Sequence, residues 1–155
     1  MPIPRRRLLA GAPALAALLV GGAGGGGSVV VWRDPDCGCC AGWVRHMRAA
    51  GFTVHETVTA ALTPVRHRLG TPTDLQSCHT ALVDGFVLEG HVPASAVRRL
   101  LADRPAEIRG LSVPGMPIGS PGMEVPGQPG EDYDVIAFGA DGYRAVFQHV
   151  RGTAS

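Results

Sequence analysis

Residues 28–51 read SVVVWRDPDCGCCAGWVRHMRAAG. The first part, Ser28–Asp34, is a short apolar run closed by turn residues, the pattern of a buried strand. Asp34-Pro35-Asp36 breaks it, and Asp36 is positioned to cap a helix beginning just after it. From Cys39 to Ala50 the residues Cys40, Trp43, Val44 and Met47 recur at helical spacing. Gly51 ends that helix in the usual way. A strand therefore runs through a tight turn directly into a helix. Three of the chain's four cysteines, Cys37, Cys39 and Cys40, lie at the junction.

Working outward, Phe52–Val58 alternates as a second strand. Thr63–Gly70 is a short helix with Pro64 in its first turn and Gly70 at its end. Residues 71–80 form a loop. ALVDG and FVLEGHV come next as two strands around an Asp84-Gly85 turn. Pro93 introduces a helix over Ala94–Arg104, with Val97, Leu100 and Leu101 on one face. Leu111–Gly130 is too rich in proline and glycine for helix or strand and is expected to be a long loop. YDVIAF and YRAVFQHV, around Ala140-Asp141-Gly142, form a last hairpin. The first strand–helix–strand should be a right-handed parallel unit. Strand, helix, strand, helix, hairpin, helix is the thioredoxin-like α/β plan: a central sheet with flanking helices, here with a Gly/Pro/Met loop and a C-terminal β-hairpin added. Its chemistry belongs at the turn into the first helix, where the cysteines are. The sequence shows no internal repeat and no nucleotide-binding glycine fingerprint.

The chain has 155 residues, which suits one domain. All 14 basic residues are arginine, and the net charge of +1 suggests neither a nucleic-acid partner nor an acidic tail. Residues 1–28 have Arg5–Arg7, an apolar run from Leu8 to Val20 and a small-residue, Gly-rich cleavage zone, the layout of an export signal. The run is shorter than the roughly 20 residues a membrane span needs. The mature form is thus expected without a stable span, with an uncleaved anchor as the alternative. Arg-Arg before Leu8-Leu9 fits twin-arginine export as well as ordinary secretion. A single domain over residues 29–155, periplasmic or otherwise exported, is the expected organisation.

Outside the cytoplasm paired cysteines are usually structural, yet this spacing is a poor staple. Cys37 and Cys40 form a C-x-x-C at a helix N-terminus. There the free amides and the helix dipole favour a thiolate, while Asp34 and Asp36 oppose it. Neighbouring side chains on a helix diverge by about 100°, so Cys39 and Cys40 chelate one ion badly. They suit bridging several ions. Soft thiolates select copper(I), zinc or iron–sulfur units.

Cys78-His79 is the next candidate. In this plan its loop approaches the start of the first helix, so Cys78 can complete a four-thiol set; the alternative is a buried free cysteine beside a loop histidine. Met116 and Met123 lie in PGMPIGSPGME. A thioether there is either a plug onto the core or a soft ligand that selects copper(I) over zinc. His91 ends a strand beside Pro93, and His46 is two helical turns from Cys39; both are weaker candidate ligands. Trp32 and Trp43 bracket the cysteine loop and are expected to shield it.

Taken together, DPDCGCCAGWVRHMRAAGF, LQSCHTALVDGFVLEGHVP and VPGMPIGSPGME resemble the CopG-type copper-resistance proteins, over about Val29 to Val150. The resemblance implies a thioredoxin-like fold whose C-x-C-C motif, Cys37, Cys39 and Cys40, holds a multinuclear copper cluster bridged by cysteine sulfur. Cys78 matches the further cysteine, and Met116 and Met123 match the methionine block. It also implies an exported protein that sequesters or redox-buffers copper(I), with copper ions and other periplasmic copper-handling proteins as partners. Oxidation to a Cys37–Cys40 disulfide would release or rearrange the metal. A periplasmic thiol–disulfide oxidoreductase using Cys37 and Cys40, and a structural zinc or disulfide interaction domain, are the alternatives.

Overall fold

In the computed structural model, which describes residues 26–152, the opening strand is β1 (Gly26–Arg33). Val29 and Val31 on it are fully buried. The chain turns and enters α1 (Gly38–Ala49), whose buried face is Cys40, Trp43, Val44 and Met47. Gly51 takes φ 87° and reverses the chain. β2 (Phe52–Val58) then pairs parallel with β1. After α2 (Leu62–Leu69), β3 (His79–Val83) runs antiparallel to β1. β4 (Phe86–Gly90) returns beside β3. Asp84 and Gly85 join them, both left-handed, the backbone that matches strand twist in a two-residue hairpin. α3 (Ala94–Asp103) carries the chain to β5 (Gly110–Val113), parallel to β4. β6 (Tyr133–Phe138) and β7 (Arg144–Val150) close the order β2-β1-β3-β4-β5-β6-β7.

The first four strands and three helices are the thioredoxin-like arrangement expected, and β5–β7 extend its sheet. Most boundaries differ from the sequence reading by a residue or two, and two differences change what a segment is. Residues 110–113 are a buried strand that takes in the first three residues of the segment expected to be loop. The strand is four residues long and ends at Val113, just before Pro114, so its pattern is lost in the Pro/Gly composition beyond it. β1 also starts at Gly26, which pairs with Phe52, so residues 26 and 27, placed only with the leader by sequence, lie in the strand. Glycine carries no periodic signal by which a strand end can be recognised. Residues 1–25, and with them most of the expected export signal, lie outside the described residues.

One face of the sheet packs on α1 and α3 through Val29, Val31, Ala81, Leu88, Trp43, Met47, Val97 and Leu100. The other face carries a smaller cluster of Leu75, Val87 and Phe138, against which Leu69 of α2 packs. Trp43 is fully buried and its indole N–H donates to Val92 O at 2.9 Å. Truncating such a ring costs about 3–5 kcal/mol, so α1, and the cysteine turn at its head, is fixed to the sheet. No helix among the described residues is long and apolar enough to cross a membrane.

Candidate metal centre

The centre is built at the first turn of α1. Cys37 is its N-cap, and its Sγ accepts the Cys40 N–H at 3.3 Å. This corrects the expectation for Asp36. Asp36 is exposed and its own N–H donates to Asp34 Oδ1 at 2.9 Å, so the aspartates shape the turn and leave the cap to sulfur. Cys37 and Cys40 are joined as a disulfide, while Cys39 and Cys78 are free thiols. Cys39 Sγ stands 3.4 Å from Cys37 Sγ. Cys40 Sγ lies 3.7 Å from the carbonyl of Cys78. All four sulfurs are within 4.8 Å of one another. The loop before β3 therefore meets the head of α1 as the fold plan requires.

Cys78 has two histidine neighbours. His91, just past β4, places Nε2 at 2.8 Å from Cys78 Sγ, and His79, the first residue of β3, places Nδ1 at 3.4 Å. Both rings are fully buried. His91 Nδ1 lies 2.8 Å from Pro121 O, an atom that can only accept, so Nδ1 carries the proton and Nε2 is left with its lone pair. His79 leans on Trp43 at 4.5 Å between ring centroids and meets His91 edge-on at 5.2 Å. Its Nε2 has no hydrogen-bond partner. Burial, and after it the neighbouring His91, push the His79 pKa down to about 3. Burial also lowers that of His91, against the opposing pull of Pro121 O and Glu124. Burial, then the neighbouring Cys39, pushes the Cys78 thiol up to about 12. The pocket thus presents neutral imidazoles and protonated thiol until something replaces the proton.

The loop bearing Cys78 is gripped from behind. Glu89, fully buried on β4, accepts from Arg66 Nε at 3.0 Å and from the Ser77 N–H at 2.8 Å through the same oxygen. Arg66 of α2 also donates to Ser77 O. Burial raises the Glu89 pKa, and the Ser77 N–H and Arg66 oppose the rise. Ser77 Oγ donates to Gly115 O at 2.6 Å, tying the Cys78 loop to the Gly/Pro segment.

That segment brings up the methionines differently. Met116 is exposed and lines an open cavity with Gln76, Ser77, Cys78 and Gly115. Met123 is half-buried in a turn, its N–H donating to Ser120 O at 2.7 Å and its carbonyl accepting from Gly119 at 3.0 Å. The preceding Gly122 packs its backbone directly against Cys39 O and Gly42. His46 is not brought to the sulfurs. Burial lowers its pKa despite Glu124, and Nε2 accepts the Ala94 N–H at 3.1 Å, capping α3. Sequence reasoning named Cys78-His79 as a pair yet gave the His79 ring no role. Its position at the head of a strand buried on nearly every residue was the available signal.

A family model described as protein of unknown function, DUF411, matches residues 75–123. Two solved structures of copper resistance protein CopG, Form 1 and Form 2, are 41% and 40% identical, cover 81% of this chain and 98% of theirs, and superpose with a TM-score of 0.75 each. The chain belongs to the CopG family. Its DUF411 stretch includes Cys78, His79, His91, Met116 and Met123 and begins after the C-x-C-C, so two matches of different extent meet at this pocket. No curated protein matches the chain. CopG relatives and the sulfur pocket agree on a metal-related role, and the donor set suits a soft ion.

Proposed function

We propose that this is an exported copper-binding protein that holds copper(I) in a cysteine-bridged multinuclear cluster, in copper resistance or copper redox handling. The observation that carries the reading is the convergence of Cys37, Cys39, Cys40 and Cys78, all sulfurs within 4.8 Å. Thiolates at such spacing share ions, and adjacent cysteines serve bridging better than chelation of one ion. Met116, at the cavity beside Cys78, and Met123 are the thioether candidates, and a thioether favours copper(I) over zinc. His91 stands ready as a nitrogen ligand; His46 acts as a helix cap and drops out of the proposed set.

The Cys37–Cys40 pair supplies the redox step. Its two thiols give two electrons and two protons as the S–S bond forms, enough to take two copper(II) to two copper(I). The oxidised pair no longer offers thiolates, so the cluster loosens. Copper ions, and other periplasmic proteins that deliver or accept them, are the partners. A leader ahead of β1, within residues 1–25, is proposed to direct export.

The test is anaerobic reconstitution of the reduced protein with copper(I) or zinc, with stoichiometry and affinity measured. More than one copper(I) per chain, reduced in Cys39→Ser and weakened in Met123→Leu, supports the cluster. One zinc per chain, indifferent to Cys39→Ser, sinks it. A second reading, thiol–disulfide exchange, is favoured by the disulfide at the head of α1. There Cys37 attacks a substrate disulfide and Cys40 resolves the mixed disulfide. Insulin reduction by metal-free protein, abolished by Cys37→Ser, would select it.

A further inference from the structure

We infer that the disulfide form keeps a metal site of its own, made of Cys78, His79 and His91, which holds one copper ion after Cys37 and Cys40 have left the ligand set. The inference goes beyond the cluster proposed above and rests on that reading for copper as the cargo and for Cys37 and Cys40 as ligands of the reduced form.

Three observations carry it. First, the ligand atoms of Cys78, His79 and His91 lie within 4.8 Å of one another, a grouping that uses neither disulfide cysteine. Ligands about 2.0–2.3 Å from one tetrahedral ion stand roughly 3.3–3.8 Å apart, so atoms within 4.8 Å of one another close on a metal by shifts of about an ångström. Second, the His91 ring is already set for ligation. Its Nδ1–H is spent on Pro121 O, which aims the Nε2 lone pair at Cys78 Sγ. A backbone carbonyl on the far nitrogen is the usual device that orients a ligating imidazole. Third, the set is reachable through its thiol. The thiol of Cys78 lines an open cavity with Gln76, Ser77, Gly115 and Met116, while both imidazoles are fully buried.

The chemistry differs from that of the four sulfurs. One thiolate and two neutral imidazoles carry a single negative charge. A His2Cys set accepts copper in either oxidation state, whereas an all-sulfur set strongly favours copper(I). Cys78 belongs to both groups, so it is the sulfur across which an ion could pass from the thiol trio to the imidazoles. Oxidation of the C-x-x-C would then move one copper inward and leave the rest to be released.

The experiment uses the full chain with Cys37–Cys40 oxidised, verified by mass, and titrated anaerobically with cobalt(II), a probe that does not oxidise thiolates. One cobalt(II) per chain is expected, with a thiolate-to-cobalt charge-transfer band and tetrahedral d–d bands, and copper(I) should bleach both. Cys78→Ser should abolish the charge-transfer band. His91→Gln should shift the d–d bands and weaken binding at least tenfold, as should His79→Gln. Circular dichroism checks the fold of each variant, and if His79→Gln unfolds, His91→Gln decides. No cobalt uptake, uptake without a charge-transfer band, d–d bands indifferent to His91→Gln, or cobalt that copper(I) fails to displace overturns the inference. If the reduced chain takes several copper(I) while the oxidised chain takes no cobalt, only this inference falls. Cobalt uptake by the oxidised chain, with at most one copper(I) in the reduced chain, removes the cluster instead.

Discussion

Cys78 shows how one side chain would set the terms on which a metal enters the proposed site. Its thiol is held up at about 12 by burial and by Cys39, so it is protonated at any working pH. A metal that takes this sulfur must expel a proton, and binding strengthens as pH rises. The apparent copper(I) affinity of the reduced protein should therefore climb between pH 6 and 8 by at least about tenfold per unit, one factor of ten for each proton displaced. Competition against a chelator of known affinity at three pH values measures the slope. Cys78→Ser should lower it by one proton. An unchanged slope in that variant would mean that Cys78 does not bind the ion. His46, farther along α1, makes the contrast: its lone pair already accepts the Ala94 N–H. His46→Gln should leave the slope alone and cost α3 a cap, about 0.5–2 kcal/mol by analogy with other caps.

Between elements, the site depends on contacts that no single element supplies. Arg66 from α2 and Glu89 from β4 form a buried ion pair that clasps Ser77, next to Cys78. Removing one partner of such a pair leaves an uncompensated buried charge, at about 3–5 kcal/mol. Arg66→Met should lower stability by that order in urea titration, and Arg66→Met with Glu89→Leu should recover most of it. If the clasp also places Cys78, the double variant will be stable yet bind copper(I) less tightly than the parent. Gly122 tests the opposite side of the pocket. Its φ is 90°, and an added Cβ would meet Cys39 O and Trp43 N at 2.5 Å, backbone that cannot yield. Gly127 has φ 78° with open space around it. Gly127→Ala should cost only the left-handed strain of about 1–2 kcal/mol, while Gly122→Ala should cost more and lift the methionine loop from α1. Such dependence explains what the sequence could show. Val29 to Gly51 announces strand, turn and helix through local periodicity, and the fold plan then carries Cys78 to the trio. His91 is legible only as a weaker candidate beside His46, and His79 only as the neighbour of Cys78, because their orientations are fixed by a carbonyl 30 residues away and by a ring from another element. Leu111–Val113 was missed because its pairing partners, not its composition, make it a strand.

Across the whole molecule, burying imidazole makes the metal-free fold sensitive to acid. His46, His79 and His91 all have lowered pKa values, with burial the largest cause in each. For a group whose folded pKa is depressed, the unfolded chain binds the proton first. The stability such a group contributes is complete above the unfolded value, near 6.5, and is lost as pH falls toward the folded value, about 3 for His79. Each unit in that window costs up to about 1.4 kcal/mol per fully depressed group. Glu89 acts in the opposite sense, since its raised pKa makes the folded state the better proton acceptor near its own titration. It offsets part of the loss only at the acid end, whereas the histidines act first as pH drops below 6.5. The urea midpoint of metal-free protein should therefore fall steadily from pH 7 to pH 5, before ordinary carboxylates titrate. His79→Gln, if folded at pH 7, should flatten that slope while lowering the starting stability. A midpoint level from pH 7 to 5 in the parent would mean that these rings reach solvent. Bound copper should reverse the sensitivity at moderate pH, because an ion on His79 and His91 occupies the lone pairs that acid would otherwise claim. The loaded protein should hold its midpoint to lower pH than the empty one, and the gap should close where protons displace the metal.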